Sequence, residues 1–155
     1  MNLSDMYQRP GFLLRRAHQI SAAVFESACA EVGLTQAQYG VLMVVQSAPD
    51  IDQSSLARAL AFDKVTVLRV LQGLEERSLV VRGVSANNRR QMAVRLTPQG
   101  KRLLKKTERP VRLAYEQLMA PLNQQEAKQL IGLLQQLTHH LQDQARAPFV
   151  PLGDA

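Results

Sequence analysis

A chain of 155 residues, 46% of them hydrophobic, is large enough to bury the core of one domain without disulfide staples. Its single cysteine, Cys29, excludes an internal disulfide, and charges interrupt every apolar run well short of the roughly 20 residues a bilayer span needs. With no basic start leading into an apolar stretch, the expectation is a soluble cytoplasmic protein that is not membrane-bound. The formal charge of +6 is unevenly placed: residues 51–105 hold eleven basic against four acidic residues, a net +7, whereas residues 1–50 come to −1 and residues 106–155 to zero.

In chain order, Pro10 and Gly11 open a helical pattern through Phe12, Leu13, Arg16, Ala17, Ile20 and Val24, and Gly33 supplies a left-handed stop. Thr35 with Gln38 forms a capping box for a second helix that ends near Ala48, before Pro49 and Asp50. Asp52 caps a short third helix, Gln53 to Leu60, and Asp63 caps a fourth from Lys64 to about Arg77. Two short helices this close satisfy the spacing of a helix-turn-helix.

The period then changes from helix to strand. Leu79 to Val84 is β-branched and apolar, residues 85–90 form a polar turn, and Met92, Val94 and Leu96 alternate as a return strand. Thr97 and Pro98 start a long helix to about Met119, which Pro110 is expected to kink or split near Arg109. Asn123 and Glu126 box the start of a last helix reaching about Ala145. Its Leu130, Leu134, Leu137 and Leu141 step by four, three and four, a seam that seeks another helix, either the chain's own or a second copy's. Residues 147–155, with two prolines and a glycine, read as a mobile tail.

The predicted fold is therefore mostly α with a small β-hairpin: a winged helix-turn-helix at 51–100, flanked by N- and C-terminal dimerisation helices at 6–48 and 101–146, in one domain spanning 1–155. A net basic excess confined to a helix-helix-hairpin segment points to nucleic acid, because phosphate attraction needs clustered Lys and Arg. A solvated basic surface, or a winged-helix module that binds protein, is the competing reading; neither requires +7 on this segment.

The run LARALAFDKVTVLRVLQGLEERSLVVR followed by NNRRQMAVRLTPQG resembles the MarR (multiple-antibiotic-resistance regulator) family, and the order of elements matches across nearly the whole chain. The family's wing signature, Asp-x-Arg followed at fixed distance by Leu-Thr-x-x-Gly, falls here on Asn88, Arg90, Leu96, Thr97 and Gly100. The resemblance implies a homodimer on double-stranded DNA, its recognition helices in successive major grooves of a pseudo-palindromic operator about 34 Å apart and its wing arginines in flanking minor grooves. Thr66 and Arg69 then suit base edges or phosphates, Lys64, Ser54 and Ser55 suit phosphates, and Arg90, with Arg89 beside it, suits the minor groove. Leu68 has two readings, a thymine-methyl contact or a filler of the module's core. Asn88 stands where the family carries Asp, so it retains a hydrogen-bond acceptor and loses an ion pair.

For control of binding, the stretch RPGFLLRRAHQI resembles the first helix of family members that sense aromatic acids or their coenzyme A thioesters. Arg15 and Arg16 would pair with the acid, Phe12 and Met43 would wall the ring, and His18 and Tyr39 would add polar contacts; surface, interface or core roles are the alternative for each. A redox response through Cys29 is a second alternative, although neither its late position in the first helix nor Glu31 nearby favours a thiolate. Adjacent His139 and His140 point about 100° apart on a helix and suit no single metal ion. No phosphate loop or catalytic triad is present in the sequence, and the expectation is a DNA-binding regulator, not an enzyme, with no cofactor.

Overall fold

The structure, a computed structural model, describes residues 2–153. Met1, Asp154 and Ala155, the ends of the expected domain and tail, lie outside the described residues. The elements are α1 (Leu3–Tyr7), α2 (Pro10–Ala28), α3 (Gln36–Ser47), β1 (Ile51–Asp52), α4 (Gln53–Ala59), α5 (Lys64–Glu76), β2 (Val80–Val84), β3 (Met92–Leu96), α6 (Pro98–Met119) and α7 (Gln124–His140), followed by a 3₁₀ turn at Gln142–Gln144. Helix starts fall where the capping residues place them. Thr35 and Asn123 each complete both bonds of a capping box, and Asp52, Asp63 and Thr97 each accept the amide three residues on.

Four features depart from the sequence reading. An extra helix, α1, opens on an Asn2–Asp5 capping box, and its Tyr7 stacks on Phe12 with ring centroids 5.2 Å apart. The wing is a three-stranded antiparallel sheet in the order β1-β3-β2, with Ile51 opposite Val94 and Asp52 opposite Ala93. Two residues are too short to show a strand period, so β1 is visible only through its partner. Helix α6 runs unbroken through Pro110: the ring removes one backbone hydrogen bond, and packing along α2 holds the helix across the gap. Helix α7 stops at His140 rather than near Ala145, and the tail is not free along its length, because the Val150 amide donates to the Arg58 carbonyl at 3.0 Å.

One core lies inside the basic module. Leu42, Leu56, Leu71, Leu74 and Leu79 are fully enclosed, joined by Val41, Val45, Val67, Val80 and Val94, so that α3, α4, α5, the sheet and the start of α6 share one apolar centre. Burying side chains of this size is worth about 1.5–3 kcal/mol each, and it fixes the geometry of the outward-facing residues. A smaller cluster of Phe25, Cys29 and Ala114 joins α2 to α6. Helix α7 buries no residue within the chain. Leu130, Leu134, Leu137 and Leu141 line a broad groove with Leu13, Leu14, Ala17 and Ile20 of α2, and all four are exposed. Among the described residues no helix is long and apolar enough to cross a membrane.

Candidate nucleic-acid interface

Helix α5 has one buried stripe, Val67, Val70, Leu71 and Leu74. By helical geometry the opposite face carries Val65, Leu68, Arg69 and Gln72, all exposed, with Lys64 at the helix start. Leu68 is 44% exposed, which removes the core-filling reading and leaves it on the outward face. Val65, at 76% exposure, and Gln72 belong to the same face and were missed by sequence reasoning, although the spacing 65, 68, 72 is the complement of the buried stripe. Thr66 sits at the edge of that face, partly buried; its amide donates to Asp63 at 2.7 Å, and bonds from Thr66 hold the Asp63 carboxyl below the usual carboxylate range. Thr66 thus belongs first to the cap.

Helix α4 shows a similar division. Ser55 donates both its amide (2.9 Å) and its hydroxyl (2.6 Å) to Asp52, and the hydroxyl bond is the main reason Asp52 titrates low. With its one proton directed at Asp52, the Ser55 hydroxyl has none for a phosphate, whereas Ser54 is exposed and engages Asp52 through its backbone amide.

In the wing, β2 pairs with β3 from Val80–Leu96 to Val84–Met92, and residues 85–91 form the tip. Asn88 accepts the Arg90 amide on its side-chain oxygen at 3.0 Å, and its carbonyl accepts the Gln91 amide at 2.9 Å. It therefore shapes the turn through the backbone rather than by gripping the Arg90 guanidinium. Arg89 and Arg90 are exposed, and neither side chain has a partner among the described residues. The other two wing arginines are engaged internally: Arg82 pairs with Glu75 of α5 at 2.5 Å, and Arg95 pairs with Asp50 and donates to the Val84 carbonyl at 2.8 Å. Arg77 likewise donates to the Gly33 and Val32 carbonyls, at 2.6 and 3.0 Å. Three of the eleven cations counted in the basic segment therefore fasten the module together.

The wing joins α6 at a crowded point. The Thr97 amide donates to the Leu79 carbonyl at 3.1 Å, its hydroxyl lies 2.7 Å from the Ser78 carbonyl, and the Gly100 amide donates to that hydroxyl oxygen at 3.0 Å. A Cβ on Gly100 would stand 2.1 Å from the Leu79 oxygen. This accounts physically for the Thr-x-x-Gly portion of the pattern.

The residues expected to bind an effector are spread along α2 and α3. Arg15 lies over the Phe12 ring at 5.1 Å, and Arg16 approaches Gln19 at 3.5 Å on the exposed side of α2. His18 faces the groove between α2 and α7, Tyr39 stacks on Phe25 at 5.6 Å in the smaller cluster, and Met43 is 40% exposed on α3. Burial raises the Tyr39 hydroxyl above its ordinary pKa, with negative charge at Cys29 and Glu108 adding to the effect. Cys29 is wholly buried, and burial pushes its thiol up, opposite to what a peroxide-reactive thiolate needs. His140 places Nδ1 2.9 Å from the Gln136 carbonyl, with its ring nearly perpendicular to that of His139.

Residues 32–91 match the MarR family. The chain is 34% identical over 128 residues to a protein of Thauera aromatica described as a putative transcriptional regulatory protein for the hcr operon, covering 82% of this chain and 77% of that one. It superposes with a TM-score of 0.80 on the transcriptional repressor CouR bound to a 23-mer DNA duplex, at 26% identity, covering 89% of this chain and 98% of the other. A TM-score of 0.79 relates it to BpsR of Bordetella bronchiseptica, described by the regulation of its DNA binding by 6-hydroxynicotinic acid, at 28% identity over 85% of this chain and 94% of the other. With the helix-turn-helix, the wing and the Thr97–Gly100 joint in place, the chain belongs to the MarR family of winged-helix, DNA-binding transcriptional regulators.

Proposed function

We propose that the chain works as a homodimeric repressor. Its two α5 helices enter successive major grooves of a pseudo-palindromic operator, each Arg90 reaches into a flanking minor groove, and an aromatic carboxylate or its coenzyme A thioester releases the DNA. The observation that carries the DNA reading is the contrast within the wing: Arg82 and Arg95 are bonded internally, while Arg89 and Arg90 stand at the exposed tip with no side-chain partner among the described residues. A narrow minor groove concentrates negative potential and attracts such a side chain. On α5, Arg69 and Gln72 suit bidentate contact with guanine and adenine, Leu68 and Val65 suit thymine methyls, and Lys64 with Ser54 suits phosphate. Arg90→Ala is expected to weaken binding to a duplex selected from a random library by the wild-type protein, and to lower the slope of log affinity against log salt by about one unit per subunit. Fluorescence anisotropy across a salt series reads both; an unchanged slope removes the wing from the interface.

The effector reading rests on α2. Arg15, His18, Ala22 and Phe25 step by three and four residues and so share one helix face, which ends in the Phe25–Tyr39 ring pair. Ser21 beside them accepts from Gln36 of α3 at 2.9 Å, closing the cleft between the two helices at that level. A carboxylate on Arg15 with its ring against the neighbouring part of α2 fits this chemistry, and BpsR, with its response to 6-hydroxynicotinic acid, lends support. Isothermal titration with a panel of aromatic acids and thioesters should give a binder that releases DNA from the wild type, with affinity reduced about tenfold or more in Arg15→Ala. No heat and no release across the panel would refute the effector.

A further inference from the structure

Asp50, in the turn before α4, reaches into the base of the wing, and its backbone is strained. The Ile51 amide donates to the Ala48 carbonyl at 3.3 Å, which makes Pro49 and Asp50 the two central residues of a turn. Asp50 takes φ +69°, a conformation that favours glycine. Its side chain gives the reason to tolerate this. Oδ2 accepts the Ser85 hydroxyl at 2.5 Å and the Ala86 amide at 3.0 Å, while Oδ1 lies against the Arg95 guanidinium. The Ser85 oxygen in turn accepts the Asn87 and Asn88 amides at 3.1 and 3.2 Å, and Asn88 accepts the Arg90 amide. Ser85 is buried, and only 12% of the Asp50 side chain is exposed. The bond from Ser85 holds the Asp50 carboxyl below the ordinary carboxylate range, so it is anionic at neutral pH.

We propose that Asp50 is a positioning residue for DNA binding: its carboxylate, acting through Ser85, Asn88 and Arg95, clasps the wing to the turn before α4 and sets the direction of Arg90. The clasp links the sheet's far edge to a loop 35 residues away in sequence, and it organises the tip without any acidic residue at position 88. The proposal rests on the reading that Arg90 meets DNA.

The test is a double-mutant cycle on the full-length protein, with the selected duplex as probe. Asp50→Gly deletes the carboxylate and suits the positive φ, so the fold should survive; Ser85→Ala deletes the hub while keeping Asp50. Arg90→Ala should lose at least fivefold less affinity in either variant than in the wild type, a coupling of about the size neighbouring groups show. Equal losses in all backgrounds would overturn the proposal. Amide hydrogen exchange without DNA gives a separate readout: Ala86, Asn87 and Asn88 should exchange about tenfold faster in Asp50→Gly, with α5 unaltered. Unchanged exchange also overturns it. If Arg90→Ala costs nothing in the wild type, the wing reading fails, and exchange alone then decides the clasp.

Discussion

Gly100→Ala is expected to destabilise the protein by about 3 kcal/mol, at the upper end of the usual range for overpacking. The added Cβ would meet the Leu79 carbonyl oxygen at 2.1 Å, more than an ångström inside ordinary contact, and the atom it meets is backbone. Neither side is free to yield. That carbonyl already accepts the Thr97 amide, and the Thr97 hydroxyl ties the start of α6 to the end of α5 through Ser78. Alanine's better helix propensity returns at most about 1 kcal/mol and does not offset the loss. For a chain of this length the melting temperature should fall by roughly 6–12 °C. Circular dichroism at one fixed protein concentration checks it, since coupled association makes melting concentration-dependent. An unchanged or higher melting temperature would mean that the joint can slide, and the Thr-x-x-Gly portion of the pattern would need another explanation.

The second large effect is expected at the other end of the molecule. Leu134→Glu combined with Leu137→Glu should leave the subunit folded, because α7 buries none of its residues within the chain, yet should separate the proposed dimer. An exposed apolar run of this extent marks an interaction surface, and carboxylates in its centre would be desolvated without partners. Losing the second reading head removes the gain of tethered binding, about a hundredfold or more in operator affinity. Sedimentation equilibrium and anisotropy on the same samples read the two consequences separately. A variant that remains dimeric shows that α7 is not the interface, whereas a monomer with undiminished affinity shows that one head suffices.

Residues that act locally were legible without a structure. Thr35, Asp52, Asp63, Thr97 and Asn123 cap helices in the structure where the sequence placed them, because a cap involves only the next three residues. The hairpin likewise followed from its alternating period and polar turn. Along α5 the outward face was partly legible. Arg69 and Lys64 stood out by charge, whereas Val65 and Gln72 did not, since an apolar or neutral residue looks the same in sequence whether it faces a core or a groove. At Pro110 no split occurs: the packing of α6 on α2 carries the helix through the ring.

By itself, then, the sequence determined where the helices from α2 to α7 start, the helix-turn-helix with its hairpin wing, the concentration of positive charge between residues 51 and 105, and through these the family. Each depends on neighbours a few positions away or on simple counting. Only the tertiary structure decided which cations remain outward. Arg77, Arg82 and Arg95 are drawn into partners 44, 7 and 45 residues distant, and Arg89 and Arg90 are left at the tip. It alone revealed β1, turned Leu68 outward, enclosed Cys29 and bent Asp50 into the base of the wing. The physical reason is common to all of these: the fate of a side chain depends on what the folded chain brings against it, and contacts between distant residues leave no period in the sequence.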